Sequence, residues 1–491
     1  MTKYSIIALT ITLCSLIATT VIADINQENS FLIPTNGTLN NPQNVEINID
    51  TTKIIGINHL SLGFHLDWDR WKTFTESQAQ KDLAQQAGFK MIRVFDFRPT
   101  NPSLMPCIYW NETAKKGVWN WTNVDSLIGT VLDVGAEPFV TLGWARDGIS
   151  EYIPQGMAVN PSTGLPYPES YAAYAKEWVT HYKSLGLPVK YYDIMNEPYF
   201  YFGWNGSNQT RLEYYAELWN SAAKSMRQEN PNILISQDSI TMKNVFDYWI
   251  SNCEPVDFLD MHKYDEEVIG EYGDDEMFIR AEQRQYESSF TFYGVEEARQ
   301  KWRTDRGTSL KAINSESNFN CYYETGTDAK IQQMSGAIWL ALSLRTAILK
   351  GFDYNVYFEF SSSRSWSEAY GTGWGFGMIN ADDNKPWFPY FVNKMIGANL
   401  HVRDRLVESC SSSDDVRSLA WITGNKLNVL LISKKPGMFD VALTGVKSTA
   451  KVTWIDDTTS PENPSTQTMM LASSGHFLMN GYTVALVQSN L

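Results

Sequence analysis

Eight short apolar runs between residues 58 and 396 are separated by stretches in which apolar positions recur every three or four residues. The runs lie at 60–66, 91–97, 138–142, 191–195, 233–236, 258–261, 311–315 and 355–360. The separating stretches, at 77–87, 124–134, 171–185, 211–229 and 331–349 among others, have the period of amphipathic helices. Uniformly apolar strands between helices are typical of a parallel sheet covered on both faces. Eight such units predict an α/β fold, a closed (β/α)8 or TIM barrel, over residues 58–398.

An open, doubly wound parallel sheet is the alternative that the same alternation of strands and helices allows. Sheets of that kind that bind dinucleotides carry a glycine-rich phosphate loop after the first strand. No such loop follows the run at 60–66, so the barrel is the preferred prediction.

The pattern changes near residue 398 to short segments that alternate between apolar and polar positions. They lie at 417–422, 426–433, 439–443, 450–454 and 482–488. Alternation with period two and frequent turns predicts a C-terminal antiparallel β-sandwich over residues 399–491. The stretch 44–57 alternates in the same way, so the N-terminal segment 24–57 is expected to add strands to that sandwich.

The first 23 residues have the features of a signal peptide. Lys3 precedes an apolar run over residues 6–23, which ends in Val21-Ile22-Ala23. An uncleaved N-terminal anchor is the alternative, because the run approaches the length of a membrane span. We therefore expect a secreted protein without stable membrane association after cleavage; a lysosome-like compartment remains open.

A secretory route changes the interpretation of the cysteines and asparagines. Four cysteines follow the leader and could form up to two disulfides, with the pairing open: Cys107, Cys253, Cys321 and Cys410. Five Asn-x-Ser/Thr triplets would accept glycans in a glycosylating host: Asn36, Asn111, Asn120, Asn205 and Asn208.

Charge and histidine spacing limit the partners. The formal net charge of −15 would repel a phosphate backbone, so no nucleic-acid partner is expected. The six histidines form neither an i, i+4 pair nor a short Cys/His cluster, so neither a metal nor an organic cofactor is predicted. Aromatic residues make up 13% of the chain, with 17 Trp, which suits either a large core or stacking platforms for sugar rings.

Two glutamates stand at the ends of predicted barrel strands. The fourth run ends in Asn196-Glu197 and the seventh is followed directly by Glu316. All strands of a barrel open their carboxyl ends on one rim, so these side chains can face each other across its mouth. Each could be an ordinary solvated charge, but as a pair they suit glycosidic cleavage. One carboxyl gives a proton to the leaving oxygen and the other attacks the anomeric carbon, at about 5–5.5 Å separation in retaining enzymes.

The motif Asn196-Glu197-Pro198 resembles the acid/base motif of the (β/α)8 glycosidase clan A, which contains cellulases, β-galactosidases and β-xylosidases. The resemblance implies that Asn196 contacts the sugar 2-hydroxyl, that Glu197 is the acid/base and that Glu316 is the nucleophile. Arg93, in Ile92-Arg93-Val94, matches an arginine that the clan often has on its second strand. It could orient Glu316 or pair with Asp96. His262 or Tyr264, after the sixth strand, matches a side chain that hydrogen-bonds the nucleophile.

Within the clan, the chain is most similar to glycoside hydrolase family 39, which contains β-xylosidases and α-L-iduronidases. Four segments over residues 60–435 carry this likeness: Trp119–Asp125, Gly135–Val140, Glu229–Pro231 and Gly375–Ile379. The chain departs from the family at Asp193-Ile194-Met195, where a more aromatic lead-in is usual. It also has Ser315 where a Thr before the nucleophile is common.

The resemblance implies a retaining β-glycoside hydrolase that acts by double displacement on plant- or matrix-type oligo- or polysaccharides. Exo action of the β-xylosidase type is the first expectation, an endo-acting β-glucanase or mannanase of the same clan is the second, and a non-catalytic carbohydrate-binding protein is the third. Oligomeric state stays open. Further side chains at strand ends or in rim loops are candidate sugar contacts: His65, Trp144, Glu359 and Trp374. Glu359 is also the alternative nucleophile.

Overall fold

The computed structural model describes residues 41–491 apart from 67–69, 96, 98–103, 146–151, 239, 267–269, 322–328, 366–374, 448, 462 and 472–473. The predicted leader, Asn36 and the candidate sugar contact Trp374 lie outside these residues. None of the helices in the described part of the chain is both long enough and apolar enough to span a membrane.

The barrel part of the chain contains, in chain order, the strands β2 (Ser61–Leu66), β3 (Met91–Val94), β4 (Cys107–Asn111), β5 (Lys116–Trp119), β6 (Glu137–Thr141), β7 (Tyr191–Asp193), β8 (Leu234–Ser236), β9 (Phe258–Glu266), β10 (Lys311–Asn320) and β11 (Tyr354–Tyr357). Apart from the short pair β4 and β5, these eight strands are parallel and form one sheet in the order β8-β7-β6-β3-β2-β11-β10-β9. The sheet closes between β8 and β9, where the Asp257 amide donates to the Ile235 carbonyl at 2.9 Å.

Helices follow the strands and cover the outside of the barrel. They are α1 (Arg70–Glu76), α2 (Gln78–Ala87), α3 (Thr122–Asp133), α4 (Pro168–Ser184), α5 (Tyr199–Phe202), α6 (Gln209–Glu229), α7 (Lys243–Asn252), α8 (Asp274–Gln283), α9 (Val295–Arg306), α10 (Met334–Leu349) and α11 (Phe388–Gly397). Two short strands, β12 (Ser361–Ser362) and β13 (Ile379–Asn380), pair beside the barrel. The predicted barrel is therefore confirmed.

The inside of the barrel is layered, because successive side chains on a strand point to opposite faces. An apolar layer fills the lower part of the barrel and consists of Met91, Phe139, Tyr191, Phe258, Ile313 and Val356. Two positions further along four of these strands, the side chains that face the same way are polar: Arg93, Thr141, Asp193 and Asp260, all buried. Charged groups thus lie on an apolar base, directly beneath the rim where the strands end.

The second sheet consists of nine strands: β1 (Gln43–Ile57), β14 (Arg405–Ser411), β15 (Val416–Thr423), β16 (Lys426–Ser433), β17 (Met438–Thr444), β18 (Lys451–Asp456), β19 (Gln467–Met470), β20 (His476–Asn480) and β21 (Thr483–Asn490). Their order in the sheet is β19-β18-β21-β16-β15-β14-β1-β17-β20. Val45, Val429, Val441 and Phe477 are part of its own core. Opposite faces of the same strands, with Trp421 and Leu430, pack against the barrel helices.

Several details differ from the sequence-based expectations. The sandwich was predicted as antiparallel, but β1 pairs in parallel with β17 while it pairs antiparallel with β14. The barrel strands β9 and β10 run on to Glu266 and Asn320, where those two residues still pair. This extension arises because β9 and β10 keep hydrogen-bonding each other beyond the rim.

Of the four cysteines in the described part of the chain, Cys107, Cys253 and Cys410 are free thiols. Cys107 and Cys253 are buried, whereas Cys321 and Cys410 are exposed. The two disulfides that a secreted chain would allow are therefore not formed in this structure.

Strands β2 and β3 approach each other closely at Gly63, and Gly129 offers an uncrowded position for comparison. A Cβ at Gly63 would lie 2.6 Å from the Met91 carbonyl oxygen, whereas a Cβ at Gly129 in α3 would meet nothing within 4 Å. We expect Gly63→Ala to lower the free energy of unfolding by about 1–3 kcal/mol through overpacking. Gly129→Ala should raise it by about 0.5–1 kcal/mol, because alanine restricts the unfolded chain. Denaturant titration of both variants measures the difference; equal effects would contradict it.

Candidate active site

Glu197 and Glu316 come together at the mouth of the barrel. One carboxyl oxygen of each and one ring nitrogen of His262 all lie within 4.8 Å of one another. Glu316 is 5% exposed, so the pair is largely removed from water. The two glutamates that the sequence singled out therefore lie side by side at the mouth of the barrel.

A β-bulge aims Glu316 into the barrel. Ile313 pairs with Asp260 and Asn314 with Met261, but the register then shifts so that Glu316, and not Ser315, lies opposite His262. Bulges redirect side chains in this way and are frequent beside active sites. Strict alternation from Ile313 would have turned Ser315 inward and Glu316 outward.

Glu197 has a left-handed backbone, with φ at +40°. Such a conformation costs a non-glycine residue about 1–3 kcal/mol and is found disproportionately at functional sites. The backbone N–H of Glu197 donates to Asp238 Oδ2 at 2.6 Å, and the Asn196 carbonyl accepts from Ala145 N at 3.4 Å. These contacts on both sides of the peptide hold the turn that directs Glu197 inward.

Arg93 binds the Glu316 carboxylate. Its Nη1 donates to Glu316 Oε1, its Nη2 to Asn196 Oδ1 at 2.7 Å, and its Nε to Thr141 Oγ1 at 3.0 Å. Tyr264 donates its hydroxyl to the other oxygen of Glu316 at 2.7 Å. Arg93 and Tyr264, which were candidates for orienting Glu316, thus both contact it. Asp96, the alternative partner of Arg93, lies outside the described residues.

His262 lies between the two glutamates. Its Nδ1 is 2.9 Å from Glu197 Oε1 and 3.4 Å from Glu316 Oε2, and its Nε2 is 3.2 Å from Asp238 Oδ2. Burial alone would lower the pKa of His262, but the carboxylates of Asp238, Glu316 and Glu197 raise it to about 10. His262 is therefore an imidazolium at neutral pH.

Glu197, His262 and Glu316 are also close enough together to hold a metal ion. They are the one group of possible metal ligands found among the described residues. A protonated imidazole offers no lone pair to a metal. A metal ion would have to displace this proton, which the neighbouring carboxylates stabilise, and chemistry without a metal stays our prediction.

The pKa values of the two glutamates are shifted in opposite directions. Burial raises the pKa of Glu197, with the charges of Glu316 and Asp238 adding to it against the opposing effect of His262. Burial acts on Glu316 in the same direction, but His262, Arg93 and the Tyr264 hydroxyl outweigh it and hold its pKa at about 2. This arrangement favours the proton on Glu197 and the charge on Glu316.

The remaining candidate residues take different positions. His65 Nδ1 lies 3.8 Å from Glu316 Oε1, and burial together with the charge of Arg93 lowers its pKa to about 3, so the ring is neutral. Trp144 packs edge-on against Phe95 near the rim. Glu359, which is 5% exposed, accepts from Ser362 Oγ at 2.7 Å.

Sequence reasoning missed Asp238, which links Glu197 to His262. It follows β8 by two residues and is buried. It also missed Asp193 and Asp260, whose pKa values burial raises, that of Asp260 to about 7. The available signal was an aspartate in or just after three consecutive predicted strands, a costly residue to bury without a function.

The comparisons with known proteins identify the family of the chain. Residues 40–291, just over half of the chain, match glycosyl hydrolases family 39. The chain is 22% identical over 237 residues to a β-xylosidase from Caldicellulosiruptor saccharolyticus. That alignment spans 45% of this chain and 44% of the relative, so the chain spans less than half the length of this curated relative.

Solved structures of low sequence identity share the fold. A monomeric β-xylosidase from Caulobacter crescentus CB15 superposes with a TM-score of 0.62 at 16% identity, covering 90% of this chain and 99% of that one. A family 39 enzyme from Xanthomonas axonopodis pv. citri has a TM-score of 0.59 at 16% identity, covering 91% and 97%. A barrel with paired carboxyls at its mouth is the architecture of clan A glycosidases. The chain belongs to glycosyl hydrolases family 39, which confirms the family predicted from its motifs.

The contact between Asp238 and His262 gives a testable consequence. Asp238 is the first of the charges that raise the pKa of His262, so Asp238→Asn should lower that pKa by about one unit or more. The pH dependence of the imidazole ¹⁵N shifts measures it. Asp125→Asn, which changes a separate aspartate 2.8 Å from His181, is the matched control and should leave the His262 signals in place. An unchanged His262 titration in Asp238→Asn would contradict the assigned contact.

Proposed function

We propose that this protein is a retaining β-glycoside hydrolase in which Glu316 is the nucleophile and Glu197 the acid/base. The observation that supports it most directly is the pair of carboxyls within 4.8 Å of each other with opposite pKa shifts. That separation suits direct attack on a sugar carbon, since inverting enzymes hold their carboxyls roughly 6.5–9.5 Å apart to admit a water.

The reaction would proceed by two displacements. Glu316 attacks the anomeric carbon as the bond to the leaving oxygen breaks, and Glu197 gives that oxygen its proton. Attack neutralises Glu316, and this removes a charge that raises the pKa of Glu197. Glu197 is then an ionised base, takes a proton from water, and the resulting hydroxide displaces Glu316 from the sugar.

The surrounding groups divide the remaining work. Arg93 and Tyr264 each bind one oxygen of Glu316, so they keep it ionised and oriented. His262 contacts Glu197 and contributes positive charge beside both carboxyls. Asn196, fixed by Arg93, is positioned at the rim to bind a sugar hydroxyl.

We propose a β-xylosidase-like, exo-acting specificity on a carbohydrate substrate, because the relatives named above include two β-xylosidases. Secretion through the N-terminal leader is part of the same proposal, since oligosaccharides of plant or matrix origin are met outside the cell. A screen of aryl β-glycosides and xylo-oligosaccharides, with the first-formed anomer followed by NMR, tests the sugar specificity and the stereochemistry of the reaction. A retained β-anomer of xylose is the expected product; an inverted anomer would reject the mechanism.

Replacement of each glutamate should divide the two roles. We expect Glu197→Ala and Glu316→Ala each to lose about 10²- to 10⁴-fold or more in kcat/KM on unactivated substrates. Azide should rescue both, giving an α-glycosyl azide with Glu316→Ala and a β-glycosyl azide with Glu197→Ala. Glu137→Gln, at the opposite end of the barrel, is the matched control and should keep most activity. Near wild-type turnover of Glu316→Ala would show that another group, such as Glu359, is the nucleophile.

The pH profile should respond to Tyr264 in a defined direction. Turnover needs Glu316 ionised, so activity is lost as the pH falls through its pKa, held at about 2. Tyr264→Phe removes a hydrogen bond that lowers this pKa, so the acidic limb of kcat/KM should move to higher pH. The basic limb, set by the proton on Glu197, is the internal reference. An acidic limb that stays fixed or moves lower would contradict the role of Tyr264.

A further inference from the structure

A cavity of about 610 Å³ opens beside Glu197. Four parts of the chain form most of its wall: the segment around α5, the loop after β8, the strand β9, and the segment after α8. The cavity touches Glu197 and His262, but Glu316 is not among the residues that line it. It therefore lies on the side of the proposed proton donor.

Position relative to Glu197 determines which part of a substrate this cavity can receive. The proton donor must contact the glycosidic oxygen, and the leaving group is attached to that oxygen. A cavity that Glu197 lines and Glu316 does not is therefore positioned to receive the leaving group.

The wall is mainly aromatic and apolar. Trp204 packs edge-on against Tyr199 at 5.4 Å and against Phe292 at 5.5 Å, and Phe200 lies beside Tyr199 at 4.6 Å. Phe200 and Trp204 are 54% and 50% exposed, so each keeps apolar surface that a ligand could cover. Met242 and Met261 add flexible apolar surface to the same wall.

The polar residues of the wall are largely engaged within the protein. Glu266 accepts from Asn320 Nδ2 at 3.1 Å and from Tyr272 N at 3.4 Å, and Arg284 donates to the Asp265 carbonyl at 3.0 Å. Gln285 has a buried amide oxygen without a hydrogen-bond partner among the described residues. The wall can thus hydrogen-bond few hydroxyl groups. A second pyranose would bury several hydroxyls, and each one left without a hydrogen bond would weaken binding.

We propose that the site accepts β-glycosides with an aromatic or other apolar ring as leaving group, in preference to a second sugar. The inference rests on the proposed function, because it assumes that Glu197 is the proton donor. It adds to that function the chemical class of the leaving group. An apolar ring in the cavity would cover Trp204 and Phe292 and lose its own contact with water.

The test compares three substrates that share one glycone, β-D-xylose or whichever sugar the aryl glycosides select. They are the methyl glycoside, the 2-phenylethyl glycoside and the disaccharide. Methanol and 2-phenylethanol are unactivated alcohols of similar acidity, so their comparison reports contact with the cavity and not leaving-group chemistry. We expect kcat/KM to be about tenfold or more higher for the 2-phenylethyl glycoside than for the methyl glycoside or the disaccharide.

Substitutions in the wall provide the second readout. Trp204→Ala and Phe292→Ala should each lower the ratio of 2-phenylethyl to methyl kcat/KM about three- to tenfold. Phe290→Ala is the matched control: Phe290 is two residues from Phe292, is 97% exposed and does not line the cavity. It should keep the wild-type ratio. Thermal melting of each variant shows whether it is folded.

The outcomes separate the two proposals. Turnover of a 4-nitrophenyl β-glycoside with equal kcat/KM for methyl and 2-phenylethyl leaving groups would overturn the inference and leave the glycosidase proposal standing. Faster cleavage of the disaccharide, or a ratio that Trp204→Ala and Phe292→Ala do not change, would also overturn it. Absence of turnover on every glycoside would overturn both, because the cavity would then have no leaving group to receive.

Discussion

The buried contacts of Glu316 with two cations, His262 and Arg93, dominate the electrostatics of this site. Five buried or largely buried carboxyls, those of Asp193, Glu197, Asp238, Asp260 and Glu316, face two cations, Arg93 and His262, within the described part of the barrel mouth. They cannot all ionise, because so large a net charge in a poorly solvated space is too costly. Glu316 has the strongest contacts with positive charge, so it stays ionised while the pKa values of Asp193, Glu197 and Asp260 rise.

This competition explains why residues that never touch a substrate matter for the chemistry. Asp238 is buried and contacts both the backbone of Glu197 and the ring of His262. It stabilises the left-handed turn at Glu197 and raises the pKa of His262 through one carboxylate. Geometry and protonation of the proposed acid are therefore coupled through a single side chain.

Much of the fold follows from periodicity. Eight uniformly apolar runs separated by amphipathic stretches are enough to predict the barrel, because each buried strand must be covered by a helix. The ends of β9 and β10 could not be predicted in this way. Their extensions, which include Lys263 and Asn318, are buried although polar, because the two strands bond each other and both side chains donate to carbonyls of other segments. Hydropathy alone assigns such positions to a loop.

The candidate site was predictable where a motif carried it and not where packing did. Asn196-Glu197-Pro198 and the run before Glu316 identify the pair, and the position of Arg93 on the second strand identifies its partner. The bulge that turns Glu316 inward leaves no mark in the pattern, because Ser315 and Glu316 are both polar. Asp238 follows its strand without a motif, and its importance becomes visible only when β7, β8 and β9 lie side by side.

The shape of the mouth follows from the same strand extension. Since β9 and β10 rise beyond the rim, Tyr264 and Glu266 form a wall on the Glu197 side. Tyr264 turns its hydroxyl to Glu316, and Glu266 is bonded to Asn320, so the polar atoms of that wall serve the protein itself. Apolar side chains around α5 are left to complete the cavity. The pairing of β9 with β10 thus positions Glu316 and also engages polar groups beside the place where the leaving group would lie. The same strands that build the catalytic pair therefore favour an apolar leaving group.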